Sequence, residues 1–294
     1  MTSIYKSAEL EKEVRQHYAE VLKLWPVPSQ HLRVPTREGE TFVVASGPQD
    51  APPVLLFHGS VANSASWMFD IATWAAHFRV YAVDMIGEPG FSPPSRPPLA
   101  SDAHALWLDD VMQGLALERA SMVGVSLGGW LALDYATRRP DRVTSLAVLC
   151  PAGVGRQKIS LLFKSLPLLL MGRWGTRKLS EMILGRGPAN LAKLPPVVQA
   201  FAGFMSLVHQ STRPRNFKLP VFRDDALKRL AMPLLAIVGG KDVLLDSAET
   251  KRRLEANAPR AEVRYLPQAG HFIPGQAATI LEFLERSSIL IAKA

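Results

Sequence analysis

Ala120-Ser-Met-Val-Gly124-Val-Ser126-Leu-Gly128-Gly-Trp130 is the stretch that decides the fold. A short apolar run passes directly into the pattern G-x-S-x-G, and residues at helical spacing follow without a linker. A serine at so abrupt a strand-to-helix junction sits in a tight backbone turn. Small residues two before and two after it are required because a Cβ there would strike the neighbouring strand or helix. The turn carries the hydroxyl away from the sheet and sets it at the positive end of the following helix. Ser126 therefore reads as a nucleophile and not as an ordinary turn serine.

Working outward, apolar runs at 54–57, 79–83, 120–125, 143–149, 234–238 and 263–266 alternate with helical stretches near 66–77, 102–117, 127–138 and 247–258. A last helix is expected at 277–291. Continuous apolar strands separated by helices predict a mostly parallel sheet covered on both faces. Upstream, a helix at 8–24 ends at Trp25-Pro-Val-Pro28, and 31–36 with 41–45 reads as an antiparallel hairpin around Arg37-Glu-Gly-Glu40. The expectation is one doubly wound α/β sheet of about eight strands.

Between 149 and 234 no convincing strand occurs. A structureless loop of that length inside a compact domain is improbable, so an inserted helical cap is expected over the carboxyl ends of the strands, where open α/β sheets bind ligands. The expected division is an N-terminal helical extension at 1–30, a core at 31–153 and 227–294, and the cap at 154–226. Cap residues such as Leu161, Phe163, Trp174, Phe201, Phe204 and Met205 either line an apolar pocket or bury the cap's own helices. Arg156, Arg173, Arg213 and Arg215 make the same region basic, which reads mainly as a solvated face.

A serine hydroxyl needs a general base. Of seven histidines, His271 alone follows a late strand in a loop, Pro267-Gln-Ala-Gly270-His271, where Gly270 is expected to give turning freedom. The base in turn needs an acid to fix its tautomer, and Asp242 follows the strand 234–238 on the same sheet edge. The order Ser, Asp, His is the one such strand-turn-helix serines use. Asp246 competes, but its position before the helix 247–258 suits an N-cap. An oxyanion needs two preorganised N–H donors. Leu127 supplies one, and the loop His58-Gly59-Ser60-Val61 the other, with Ser60 the first choice and Val61 the second. Gly59 is expected to permit a close backbone approach, and His58 to pin the loop by hydrogen bonds. Asp84-Met-Ile-Gly87-Glu-Pro-Gly90-Phe-Ser92 reads as a structural turn at the sheet edge, with Asp84 a local hydrogen-bonding residue.

Composition bounds the rest. The chain has 294 residues, 48% of them hydrophobic, and a single cysteine, so an intramolecular disulfide is impossible and a reducing compartment fits. The charged start MTSIYKSAELEKEV lacks an apolar signal region, and no run is long enough to span a bilayer, so a soluble cytoplasmic protein is expected. The net charge of +8 is accompanied by no nucleic-acid-binding pattern, so no nucleic-acid partner is expected. No residue set has metal-ligand spacing and no dinucleotide or phosphate-loop fingerprint occurs, so neither metal nor cofactor is expected. A homo-oligomer is left open.

The ordered set His58-Gly59, Asp84 to Ser92, Gly124-Val-Ser126-Leu-Gly128, Gly239-Gly-Lys-Asp242 and Gly270-His271 resembles the α/β-hydrolase superfamily from about Thr41 onward. Within it, Ser3-Ile-Tyr-Lys-Ser7, Leu24-Trp-Pro-Val-Pro28 and Thr41-Phe-Val-Val-Ala-Ser-Gly47 are similar to bacterial carboxylesterases of the naproxen-esterase type. The resemblance implies an α/β-hydrolase fold with a cap, no cofactor, and hydrolysis of small-molecule carboxylic esters through an acyl-enzyme on Ser126. Serine at the nucleophile position departs from haloalkane dehalogenases and epoxide hydrolases, which use aspartate. A C–C bond hydrolase, a cofactor-free perhydrolase and a slow-turnover ligand receptor remain as alternatives on the same scaffold.

Overall fold

The computed structural model describes residues 4–158, 168, 171–172, 175, 178, 181–183, 193–213, 215 and 219–292. Its centre is one eight-stranded sheet of β1 (Ser29–Thr36), β2 (Gly39–Ser46), β3 (Pro53–Phe57), β4 (Arg79–Val83), β5 (Ala120–Val125), β6 (Val143–Leu149), β7 (Leu234–Gly239) and β8 (Ala261–Leu266). The spatial order is β1-β2-β4-β3-β5-β6-β7-β8. β2 pairs antiparallel with β1 and β4, and all other pairings are parallel. The expected hairpin and all six apolar runs are therefore strands of one sheet.

Alternation along each strand divides the core in two. Leu55 and Phe57 face one apolar layer with Met122, Leu146, Val148, Leu234 and Ala236. Val54 and Leu56 face the other with Val80, Ala82, Val123, Ala147, Leu235 and Ile237. Both layers are buried because helices cover both faces, which is why these strands read as unbroken apolar runs. α3 (Ala103–Gly114), α4 (Leu127–Arg138) and α7 (Ser247–Asn257) cover the first face; α1 (Ala8–Leu22), α2 (Ile71–Ala75) and α8 (Ala277–Ala292) cover the second. Two shorter entities differ from expectation. The helix predicted over 66–77 is a 3₁₀ turn, Ser64–Trp67, followed by the five-residue α2. The turn after β4 lies on an interior strand, not at the sheet's edge, because β2 returns outside β4.

Of the stretch expected as a cap, the described part includes α5 (Pro196–Ser211) and α6 (Asp224–Leu227), whereas Leu161, Phe163, Arg173 and Trp174 lie outside the described residues. α5 packs on α1, where Tyr18 stacks between Phe204 (5.6 Å) and Phe91 (4.7 Å). Phe204 thus serves to bury α5 against α1. The extended residues before α1 are tied to the end of α5 by an antiparallel bridge between Tyr5 and Thr212. Lys6 N donates to Ser211 O, and Arg213 N to Ile4 O. Arg213 is exposed and its guanidinium reaches the Tyr5 and Lys6 carbonyls, and Arg156 is exposed beside Glu249, whereas the side chain of Arg215 is buried and so does not belong to a solvated face. Among the described residues, no helix is long and apolar enough to cross a membrane.

His104 in α3 is buried edge-on to Trp130, and its Nδ1 has no hydrogen-bond partner. Burial first, then the charges of Arg215 and Arg138, bring its pKa down to about 4. Unfolded, the ring titrates near 6.5. Between those values the unfolded chain binds a proton that the folded chain does not, so stability is lost as pH falls through this window, by up to ~3 kcal/mol. Urea unfolding of the wild type and His104→Phe at pH 7 and pH 4.5 should show a smaller acid loss in the variant. Equal losses would remove His104 from the account.

Candidate active site

Ser126 joins β5 to α4 with φ 52° and ψ −108°, a conformation an L-residue holds only when its surroundings enforce it. Its N–H donates to Leu149 O on β6, and its carbonyl accepts from Trp130 N, the first turn of α4. The glycines two either side are what permit this. A Cβ on Gly124 would lie 2.4 Å from Gly128 O, and one on Gly128 only 2.1 Å from Phe57 O. The helix therefore passes directly over the end of β3.

His271 lies in the loop after β8 and is 8% exposed. Its Nδ1 is 2.8 Å from Asp242 Oδ2 and its Nε2 is 3.0 Å from Ser126 Oγ. The carboxylate can only accept, so Nδ1 carries the proton, and Nε2 is left to accept from the serine hydroxyl. Asp242 Oδ1 accepts from the N–H groups of Leu244 (2.7 Å) and Leu245 (3.0 Å). Burial pushes the Asp242 carboxyl up, but the hydrogen bond and charge of His271 with these two amides outweigh it and keep it below the usual carboxylate range. The three side chains expected from the sequence meet. Asp246 accepts from Glu249 N and N-caps α7, as its position suggested. The turning freedom expected of Gly270 is not what lets the loops meet, since its φ is ordinary and a Cβ there would touch nothing. The constraint falls on Gly239, where a Cβ would sit 2.1 Å from Gly270 O.

On the opposite side of Ser126 lies the loop after β3. His58 is buried; its Nε2 accepts from Met85 N (3.0 Å) and its Nδ1–H donates to Gly59 O (2.8 Å). Both nitrogens serve as loop pins in a neutral ring, consistent with a pKa lowered by burial against the opposing pull of Asp84, the Gly59 carbonyl and Glu88. A Cβ on Gly59 would lie 4.0 Å from Ser126 Cβ, an ordinary contact, so the backbone approach is less tight than expected. The strained residue is Val61, at φ 56°, and its N–H donates to Glu88 Oε2 at 2.7 Å. Val61 is thereby removed as an oxyanion donor. The N–H groups of Ser60 and Leu127 are engaged by no other described group.

Two neighbouring features do different work. Cys150 follows β6 with φ 40°, and its sulfur, an Asp242 oxygen and a His271 nitrogen lie within 4.8 Å of one another. Burial, then the Asp242 charge, pushes the thiol up to about 12, so it is no thiolate, and the other two groups already bond each other. That set suits a proton relay beside an inert thiol better than a metal ion. A surface groove of about 350 Å³ is lined by Arg156, Gln157, Lys158, Asp246, Glu249 and Arg252, and shares no residue with the Ser126 side.

A half-buried serine hydrogen-bonded to a buried imidazole and carboxylate, at the carboxyl edge of a mostly parallel sheet, defines a serine hydrolase scaffold. Residues 54–282 match the alpha/beta hydrolase family, and the chain belongs to it. Among its relatives, the uncharacterized carboxylesterase nap of Bacillus subtilis is 33% identical over 267 residues, 90% of this chain and 88% of that one. Carboxylesterase YbfK of the same organism is 33% identical over 262 residues, 88% and 87% of the two chains. The crystal structure of naproxen esterase (carboxylesterase NP) from Bacillus subtilis superposes with a TM-score of 0.81 at 31% identity, over 96% of this chain and 99% of that one.

Sequence reasoning missed Tyr18, Glu88 and Arg215. Tyr18 O–H donates to Asp84 (2.8 Å), and Arg215 pairs with Glu88 (2.7 Å). No local pattern marks such long-range partners. The tightness around Ser126 has a direct test. Gly128→Ala should cost at least ~2 kcal/mol in urea unfolding and abolish modification of Ser126 by a fluorophosphonate. Gly203→Ala, on the open face of α5 where a Cβ meets nothing, should instead gain roughly 0.5–1 kcal/mol. Similar effects at both sites would contradict the packing argument.

Proposed function

We propose that this chain is a serine carboxylesterase that hydrolyses small-molecule carboxylic esters through an acyl-enzyme on Ser126. The observation that carries this reading is the unbroken line of hydrogen bonds from Asp242 through His271 to Ser126. Ser126 Oγ attacks the ester carbonyl while its proton passes to His271 Nε2. Asp242 keeps the ring in the tautomer that can accept and stabilises the imidazolium that results. The carbonyl oxygen, now negative, lies between the amides of Ser60 and Leu127, the latter at the N-terminus of α4. Collapse expels the alcohol, which takes the proton from His271. Water, activated by the same imidazole, then releases the acid.

The names of the two Bacillus relatives support the ester as substrate class. The stretch 154–226 is assigned the role of cap, with α5 as its packed base on α1. The cytoplasm is the proposed compartment, since the lone buried thiol of Cys150 fits reducing conditions.

With a p-nitrophenyl ester of a short acid, Ser126→Ala and His271→Ala should each lower kcat by about 10⁴-fold or more, and Asp242→Asn by roughly as much through the wrong tautomer. Circular dichroism should remain unchanged. Wild-type rates in Ser126→Ala would refute the assignment, and turnover of a vinylogous diketone in preference to esters would redirect it to C–C bond hydrolysis.

A further inference from the structure

Glu88 is 1% exposed and carries two unlike partners. One oxygen, Oε2, accepts from Val61 N at 2.7 Å; the other, Oε1, accepts from Arg215 Nε at 2.7 Å. Arg215 is itself buried, to 6% side-chain exposure, and its second nitrogen donates to Ile86 O at 2.9 Å. Gly87 lies under this guanidinium at φ 72°, and a Cβ there would be 2.5 Å from Arg215 Nη2. The segment that carries Arg215 follows α5, whereas Val61 follows Ser60 in the loop after β3. Glu88 therefore joins an element packed over the core to the loop beside the nucleophile.

Burying a carboxylate and a guanidinium is costly unless both are paired and hydrogen-bonded, and replacing such a pair by apolar groups is often neutral or stabilising. Stability alone gives a weak reason for it here. The geometry at Val61 gives a stronger one. A β-branched residue at φ 56° is a genuine outlier and reverts unless something external restrains it. The bond from Val61 N–H to Glu88 is that restraint. The same bond fixes the plane of the Ser60–Val61 peptide, and so anchors the carbonyl side of Ser60, the residue whose own N–H faces the oxyanion position.

We propose that Glu88 is a positioning residue for the oxyanion site: it holds Val61 in its left-handed conformation, and through Arg215 it makes the aim of the Ser60 amide depend on the segment after α5 being docked. The proposal rests on the esterase reading above. Glu88 touches no reacting atom. Its effect is confined to how well the charge that develops on the substrate oxygen is met.

The test compares Glu88→Ala, Glu88→Gln and wild type on a p-nitrophenyl ester, with a trifluoromethyl ketone as mimic of the tetrahedral adduct. Glu88→Ala should lower kcat by about 10–100-fold, weaken the ketone by a similar factor, and leave KM within about threefold. Glu88→Gln keeps an oxygen for Val61 N–H and should recover kcat to within about fivefold of wild type. If Glu88→Ala does not fold, Arg215→Lys serves: one ammonium cannot span both Glu88 and Ile86 O in the same fork, so kcat and ketone affinity should fall together with KM unchanged. Unchanged kcat in a folded Glu88→Ala or Arg215→Lys overturns the proposal. So does an equal loss in Glu88→Ala and Glu88→Gln, or a loss confined to KM. A wild-type protein whose Ser126 takes no fluorophosphonate overturns the esterase reading itself, and is distinguished from those results because it involves no variant.

Discussion

The fold depends on how closely α4 can lie against the ends of the strands beneath it. Where Gly128 passes the carbonyl of Phe57, there is no room for a single carbon atom. That contact leaves the chain one way to turn from β5 into α4, and the backbone of Ser126 takes up the remaining strain. A serine in an ordinary turn would share its hydroxyl with nearby amides. Here the main chain is already engaged on both sides, to Leu149 and to Trp130, so the hydroxyl is left for the imidazole.

Polar groups inside the second apolar layer organise the rim on which that serine stands. Asp84, at the end of β4, accepts from the Tyr18 hydroxyl, from both the amide and hydroxyl of Ser64, and from Phe91 N. One carboxylate thereby ties α1, the 3₁₀ turn after β3 and the Gly90 turn to a single point, and Gly90 lacks a side chain because a Cβ would meet Asp84 at 2.3 Å. Glu88 continues the same arrangement toward the nucleophile. Loops that would otherwise be free are set by buried acids whose oxygens are all occupied, the condition under which such groups rigidify a structure instead of weakening it.

Much of this was legible in residue order. The strands announced themselves because sheet faces covered by helices force continuous apolar runs, and the three reactive side chains because each follows a strand on one edge. The less legible parts share a cause. Trp67, Ile71 and Trp74 have the spacing of one continuous helix, yet in the fold they are buried from two short pieces. The glycine that matters between these loops is Gly239, which leaves room for the Gly270 carbonyl, and a glycine's neighbour across space leaves no mark beside it in the sequence. In the sequence Arg215 stands among the other basic residues of its region, and only a partner 127 positions away shows its side chain to be interior.

The bridge between Tyr5 and Thr212 also bears on how the chain is made. During vectorial synthesis the N-terminal arm and the apolar side of α1 emerge long before α5 does, and Tyr18 waits for Phe204 until most of the sheet has been translated. Contacts of such large sequence separation close late and slowly. The arm before α1 is consequently among the last segments to reach its native neighbours, and until α5 has been made the stripe of Val14, Tyr18 and Val21 lacks part of its apolar cover.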